Sequence, residues 1–278
     1  MIQIENLDFW YTKKKPLFSK LNLRMTPGKI YGLLGKNGTG KSTLLKLLVG
    51  GLFPKQGTVR VGEYQAKNRQ PEMLEDLYFL PEDMTHSAIS IQAYEIAYSG
   101  FYPKFDHQKF LELLSLFEVQ LDSKLSDLSF GQRKKVMISF GLATNTKYLL
   151  MDEPTNGLDI PSKSQFRKAL LRGFIEDQIV IISTHQIRDL NQLIETVIIL
   201  DNGQVIFNQD VLDIEEQLLF TKSISEEALP ELIYSEGIAG GYVHLQPNST
   251  GEPSEVELEV LFNAVIANPN ISQQYLNR

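Results

Sequence analysis

Short apolar runs and longer stretches with helical spacing alternate along the chain, which predicts a largely parallel sheet with crossover helices. Ile2–Phe9 and Leu21–Met25, where Leu21, Leu23 and Met25 alternate with polar neighbours, predict strands near a sheet edge. Ile30–Leu34 predicts a short buried strand that runs into a glycine-rich stretch. A helix is expected from about Lys41, with Leu44, Leu45, Leu47, Leu48 and Val49 on its buried side. Thr58–Val61 and Leu77–Leu80 read as further strands. From about 83 to 144 the pattern turns helical: Leu111, Leu114 and Phe117 recur at helical spacing, and Gly131–Leu142 predicts another helix. Strands resume at Tyr148–Met151, Ile179–Ser183 and Thr196–Asp201, and Asn202-Gly203 predicts a tight hairpin into Gln204–Phe207.

After about Leu219 the pattern weakens. Turn-rich stretches at Gly237–Gly241 and Pro247–Pro253 flank a strand at Tyr242–Leu245. Ser254–Asn268 then predicts a helix with Val256, Leu258, Val260, Leu261, Val265 and Ile266 as its apolar positions. The resulting layout is an α/β domain over residues 1–215, with a helical insertion at about 83–144. Residues 216–278 form a small C-terminal α/β extension.

Composition narrows this picture in three ways. The formal net charge of −7 argues against nucleic acid as the main partner. The absence of cysteine excludes disulfides and thiolate metal sites and suits a reducing compartment. No apolar run approaches the roughly 18 to 20 residues that span a bilayer. The start of the chain, Met1-Ile2-Gln3-Ile4-Glu5-Asn6, lacks the basic residues and apolar core of a secretory signal.

The densest chemistry lies at Gly35-Lys36-Asn37-Gly38-Thr39-Gly40-Lys41-Ser42, a G-x-x-x-x-G-K-[ST] loop between a predicted strand and a predicted helix. Its glycines let successive backbone N–H groups point at phosphate oxygens, and the helix start adds partial positive charge. Lys41 is expected to reach the β- and γ-phosphates of ATP and Ser42 to offer its hydroxyl to Mg²⁺, with Thr43 placed for the α-phosphate. Further on, the apolar strand Tyr148–Met151 delivers Asp152 and Glu153 at its C-terminal end, the edge where open α/β sheets bind ligands. Asp152 is expected to anchor Mg²⁺ through water, and Glu153 to act as base or water-orienting group.

Three more segments complete the pattern: Leu128-Ser129-Phe130-Gly131-Gln132, Pro154-Thr155-Asn156-Gly157-Leu158-Asp159, and Ser183-Thr184-His185. Taken with the loop and the acidic pair, in this order and spacing, the chain resembles the ATP-binding cassette (ABC) ATPases over roughly residues 1–215. The resemblance implies a P-loop NTPase core with an antiparallel β subdomain. It also implies that Ser129 and Gly131, with Gln132 in the same segment, contact the γ-phosphate of ATP held by another protomer. On local chemistry alone, Ser129 reads as a helix N-cap, a role compatible with the first. Asp159 resembles the family's dimer-contact aspartate. His185 stands where members place a histidine on the γ-phosphate, and Tyr11 where they place an aromatic on adenine. Phe9 and Trp10 compete with Tyr11; in a strand, Phe9 and Tyr11 share one face. The remaining histidines, His86, His107 and His244, show no metal-ligand spacing.

One position departs from the pattern. Glu82 occupies the place of a glutamine that touches Mg²⁺ and senses the transporter, and a carboxylate there leans the reading towards export. The family further implies a homodimer or heterodimer of ATPase subunits, peripheral on the cytoplasmic face of the cell membrane, driving a separate integral permease. The stretch Met84–Tyr102, with Tyr94, Tyr98, Phe101 and Tyr102, is the expected docking surface, although the same aromatics suit a core. The alternative is a soluble ABC-type ATPase acting on ribosomes, in DNA repair or in assembly.

Overall fold

Strand residues that are apolar at every position, rather than at alternate ones, mark a sheet covered on both faces. The computed structural model describes the chain except residues 85–87, 225–230, 250, 252–253 and 277–278 and the side chains of 188 and 189. The chain opens with strands β1 (Ile2–Phe9), β2 (Phe18–Met25) and β3 (Lys29–Leu34), then helix α1 (Lys41–Leu48), strands β4 (Gln56–Val61) and β5 (Tyr64–Gln65), and the short helix α2 (Pro71–Glu75). Strand β6 (Leu77–Leu80) leads into helices α3 (Ile91–Ser99), α4 (His107–Leu116) and α5 (Phe130–Ala143). After them come β7 (Tyr148–Asp152), α6 (Ile160–Gly173), β8 (Ile179–Thr184), β9 (Thr196–Asp201) and β10 (Gln204–Asp210). The chain ends with α7 (Val211–Gln217), β11 (Leu218–Ser223), β12 (Tyr234–Ile238), β13 (Gly241–Pro247) and α8 (Leu258–Ala267).

The central sheet has the order β10-β9-β3-β8-β7-β6 and is parallel except for β10, which returns along β9. That return is made by Asn202 and Gly203, both at positive φ (45° and 73°), the two-residue turn whose twist suits a hairpin. In β8, Ile179 and Ile181 join one core cluster while Val180 and Ile182 join the other, as the two-residue period of a strand requires. The first cluster lies beneath α1 and the antiparallel sheet β2-β1-β4-β5. The second lies beneath the helical insertion and α6, and it continues into the C-terminal segment through Leu245, Leu258, Leu261 and Val265.

Strands β2 and β1 lie at and next to a sheet edge, as expected. Two expectations need correction. Val49 is the residue that closes α1 and is half-buried, while the four leucines before it are fully buried. The last helix is shorter than Ser254–Asn268, because it begins at Leu258. Helix α6 and strands β11 and β12 add to the expected set. The two strands flank β13 in a separate antiparallel sheet, against which α8 packs.

Candidate nucleotide site

The parallel strands aim their C-terminal ends at one edge, and the chemistry gathers there. Strand β3 ends at Leu34, and the loop that follows turns through Gly38 and Gly40, at φ of 81° and 107°. Position 40 tolerates no side chain, since a β-carbon would lie 2.8 Å from the Phe18 ring. Gly35 is similarly confined, with the Leu200 carbonyl and Thr39 Oγ1 each 2.6 Å from where its β-carbon would be. Thr39 Oγ1 donates to the Lys36 carbonyl (2.9 Å) and stiffens the turn. Helix α1 starts at Lys41, so its free N–H groups face the space that the loop encloses.

Lys41 is buried and curls back to donate to the Gly35 (2.7 Å) and Lys36 (3.3 Å) carbonyls. Its ammonium lies 3.8 Å from Glu153 Oε1. Burial draws the Lys41 pKa below its ordinary value, and attraction to Glu153, Asp152 and Glu82 opposes that pull. A cation held in this way gains most from a polyanion entering the loop.

Asp152 closes β7, is buried, and accepts a hydrogen bond from Ser183 Oγ on β8. The next residue, Glu153, takes φ = 47°, a left-handed conformation that costs a non-glycine residue energy and turns its carboxylate out of the strand direction. Its N–H donates to the Ser183 carbonyl (3.1 Å) and lies 3.2 Å from Ser183 Oγ. Its carboxylate meets His185 Nδ1 at 2.8 Å. Glu82 is half-buried and accepts from Asn156 Nδ2 (2.9 Å).

These groups surround a cleft of about 740 Å³, lined by Tyr11, Asn37, Gly38, Gly40, Lys41, Ser42 and Thr43 on one side. Glu82, Glu153, Asn156 and His185 line the other. Tyr11 is 65% exposed, its ring meets Phe9 edge-on at 5.0 Å, and its hydroxyl lies 3.0 Å from Thr43 Oγ1. Phe9 is itself buried in the core, which leaves Tyr11 as the aromatic that borders the cleft. Gly35, Thr39 and Asp152 sit behind this lining and shape it. Lys15 and Asn156 also border it, although the motif reading assigned neither a contact with nucleotide.

Ser129, Gly131 and Gln132 lie elsewhere and do not line the cleft. Ser129 is exposed and caps α5: its Oγ accepts from the Gln132 N–H (3.2 Å), and Gln132 Oε1 accepts from the Ser129 N–H (3.0 Å). Gly131 packs on Gly157, whose carbonyl would be 2.9 Å from a β-carbon at 131. Asp159 caps α6 by accepting from the Ser162 N–H (2.9 Å).

A residue that motif spacing does not single out lies between the two regions. Lys134 on α5 is completely buried and donates to the Glu153 (2.7 Å) and Asn156 (3.3 Å) carbonyls. Its signal in the sequence is phase: it stands one and two turns before Ile138 and Leu142, on the buried stripe of the helix. Of the expected docking aromatics, Tyr94 and Tyr102 pack on Phe140, at 5.1 and 6.0 Å between ring centroids, whereas Tyr98 and Phe101 are exposed beside Ile96. His107 contacts Glu95, and His244 contacts Ser223 Oγ (2.7 Å). His86 lies outside the described residues.

Residues 18–156 match the ABC transporter family. The chain belongs to that family. It is 30% identical over 217 residues to a putative ABC transporter ATP-binding protein of Methanosarcina acetivorans, covering 74% of this chain and 76% of the relative. It is 28% identical over 221 residues to the high-affinity zinc uptake system ATP-binding protein ZnuC of Bacillus subtilis, covering 73% and 92%. Its fold matches the ATP-binding cassette MJ0796, solved as a dimer in a post-hydrolysis state bound to ADP and Pi. The TM-score is 0.66 at 20% identity, over 76% of this chain and 98% of that one. As an ABC ATPase, this chain binds ATP, and its fold is the P-loop NTPase cassette. Among its described residues no helix is long and apolar enough to cross a membrane.

Proposed function

We propose that this chain is the ATP-hydrolysing subunit that energises a separate membrane permease, working as one of two cassettes with ATP between them. The observation that carries the proposal is the separation of the two phosphate-binding elements. The cleft gathers Lys41, Ser42, Glu153 and His185. The capped start of α5, with the exposed Ser129, has its own backbone donors, and neither Ser129 nor Gly131 lines the cleft that holds Lys41. A second protomer that brings its Ser129 and Gly131 to this cleft completes the cage around the γ-phosphate.

Within the cleft, Tyr11 stacks on adenine, while the N–H groups of Asn37 to Thr43 and the Lys41 ammonium bind the phosphates. Glu153 orients the attacking water and accepts its proton, and His185, already bonded to Glu153, steadies the γ-phosphate. Among the described residues no three His, Asp or Glu side chains gather into a metal cage. The cleft does offer oxygen donors, Ser42 and Glu82 on its lining and the buried Asp152 behind it, and a few hard oxygens suit Mg²⁺, which completes its shell with water and phosphates. Ser42, Asp152 and Glu82 would hold it, and it would neutralise charge that builds on the phosphates.

Residues 1–215 form the catalytic unit in this reading, and 216–278 an appended piece. The permease docks on the insertion, where Ile96, Tyr98 and Phe101 are exposed. The lean towards export rested on Glu82 alone, and it gains no support from a relative named for zinc uptake.

The test mixes two inactive variants. A Lys41→Ala protomer keeps Ser129, and a Ser129→Arg protomer keeps its cleft, so the mixture assembles one complete site in a mixed dimer. Recovery of phosphate release supports the shared site; no recovery from two folded proteins overturns it.

A further inference from the structure

We propose that Lys134 is a positioning residue that ties the start of α5 to the backbone of Glu153, so that the segment offered to one nucleotide also aims the base for the other. This rests on the shared-site reading above. Lys134 is 0% exposed, and its ammonium meets main-chain carbonyls instead of a carboxylate. One of those carbonyls belongs to Glu153, which is held at φ = 47°. A residue kept in a left-handed conformation needs its peptide groups pinned on both sides. Ser183 pins the N–H and Lys134 pins the carbonyl.

The second carbonyl belongs to Asn156, whose side chain donates to Glu82 at the cleft. One ammonium therefore braces both carboxylates that face the γ-phosphate position. On its other side the ammonium sits 4.9 Å from the centre of the Phe130 ring, the residue between Ser129 and Gly131. Phe130 in turn fills the space against Gly157, where a β-carbon would lie 2.7 Å from the ring. Burial lowers the Lys134 pKa, and the negative charges of Glu82, Glu153, Asp152 and Asp83 work against that. The charge of Glu82 thus has a buried counter-charge in reach.

The consequence is directional. A shift at Ser129–Gly131 reaches Glu153 through one side chain, and a displacement of about an ångström at a catalytic group costs on the order of 100-fold in rate. Lys134→Met keeps the length of the apolar stem and leaves the two carbonyls without their donor. The experiment places Lys134→Met in one or the other partner of the Lys41→Ala and Ser129→Arg mixed dimer. Its single working site takes Glu153 from the Ser129→Arg protomer and Ser129 from the Lys41→Ala protomer.

The expected result is a fall in kcat of about 10- to 100-fold when Lys134→Met sits in the Glu153-supplying protomer, with KM little changed. In the Ser129-supplying protomer the loss is smaller. Lys134→Gln, which restores a donor without charge, recovers part of the loss in the first arrangement. Equal losses in both arrangements, or a loss confined to KM, would overturn the proposal and reduce Lys134 to a packing residue. Failure of the parent mixture, and of a second mixture in which Ser129→Asp replaces Ser129→Arg and so keeps the cap of α5, would instead overturn the shared site, so the two ideas fail separately.

Discussion

The loop at Gly35–Thr43 and the segment at Leu128–Gln132 both lead into helix starts, yet their surroundings differ. Around the loop, a buried lysine, two acidic residues and a histidine converge on one cleft. Around Ser129, the polar groups satisfy one another in a capping box, and the cap faces outward. A helix start is a general-purpose anion site. Chemistry follows only where charged groups are brought to it from other strands. On the proposed reading, the loop is a workplace and the segment a tool for a partner's.

Glu153→Gln gives the largest expected effect, because it removes the base and leaves the cleft's shape. The amide oxygen can still accept from His185 Nδ1, and Lys41 keeps its carbonyl partners. Steady-state phosphate release should fall about 10²- to 10⁴-fold while ATP binding, measured by equilibrium fluorescence, persists. Hydrolysis near the parent rate would place the base elsewhere in the cleft.

Ser129→Asp comes next and separates the two roles of the cap. Aspartate caps a helix about as well as serine, so the melting temperature should hold within a few degrees. A carboxylate facing a partner's γ-phosphate sets like charges together, at a cost of several kcal/mol, so hydrolysis should drop about 100-fold or more. Equal activity with an intact fold would show that the segment only caps α5.

Much of the workplace could be read before the structure, and much of the tool's wiring could not. Gly38 and Gly40 announce themselves through the motif spacing; both take positive φ, and Gly40 is also pressed against the Phe18 ring. The leucines of α1 repeat in step with a helix buried on one side. Helix α6 is hard to read from the sequence because Phe166 and Leu170 are its only large buried residues, although Asp159 and Pro161 are sound start signals. Strands β11 and β12 are interrupted by Thr221, Lys222, Ser223, Ser235 and Glu236, so no alternation survives. Lys134 is harder still. A lysine two places beyond a motif reads as solvated, and its burial depends on carbonyls about twenty residues away that only the fold brings near.

Glu82→Gln is the smallest expected effect, and it tests whether the cleft tolerates its unusual carboxylate. Glutamine keeps an oxygen to accept from Asn156 Nδ2, so the link from Lys134 through Asn156 is preserved. What changes is one negative charge beside the phosphates and within the field of Lys41 and Lys134. For a half-exposed group the net effect of one charge is up to about 1 kcal/mol, so kcat should stay within about fivefold of the parent. The clearer readout is the metal. With one anionic oxygen fewer to hold the cation, the Mg²⁺ concentration for half-maximal rate should rise by about threefold at fixed ATP. A variant that binds ATP but does not hydrolyse it would make the Glu82 carboxylate a required part of the site, since the charge would then be the only thing lost.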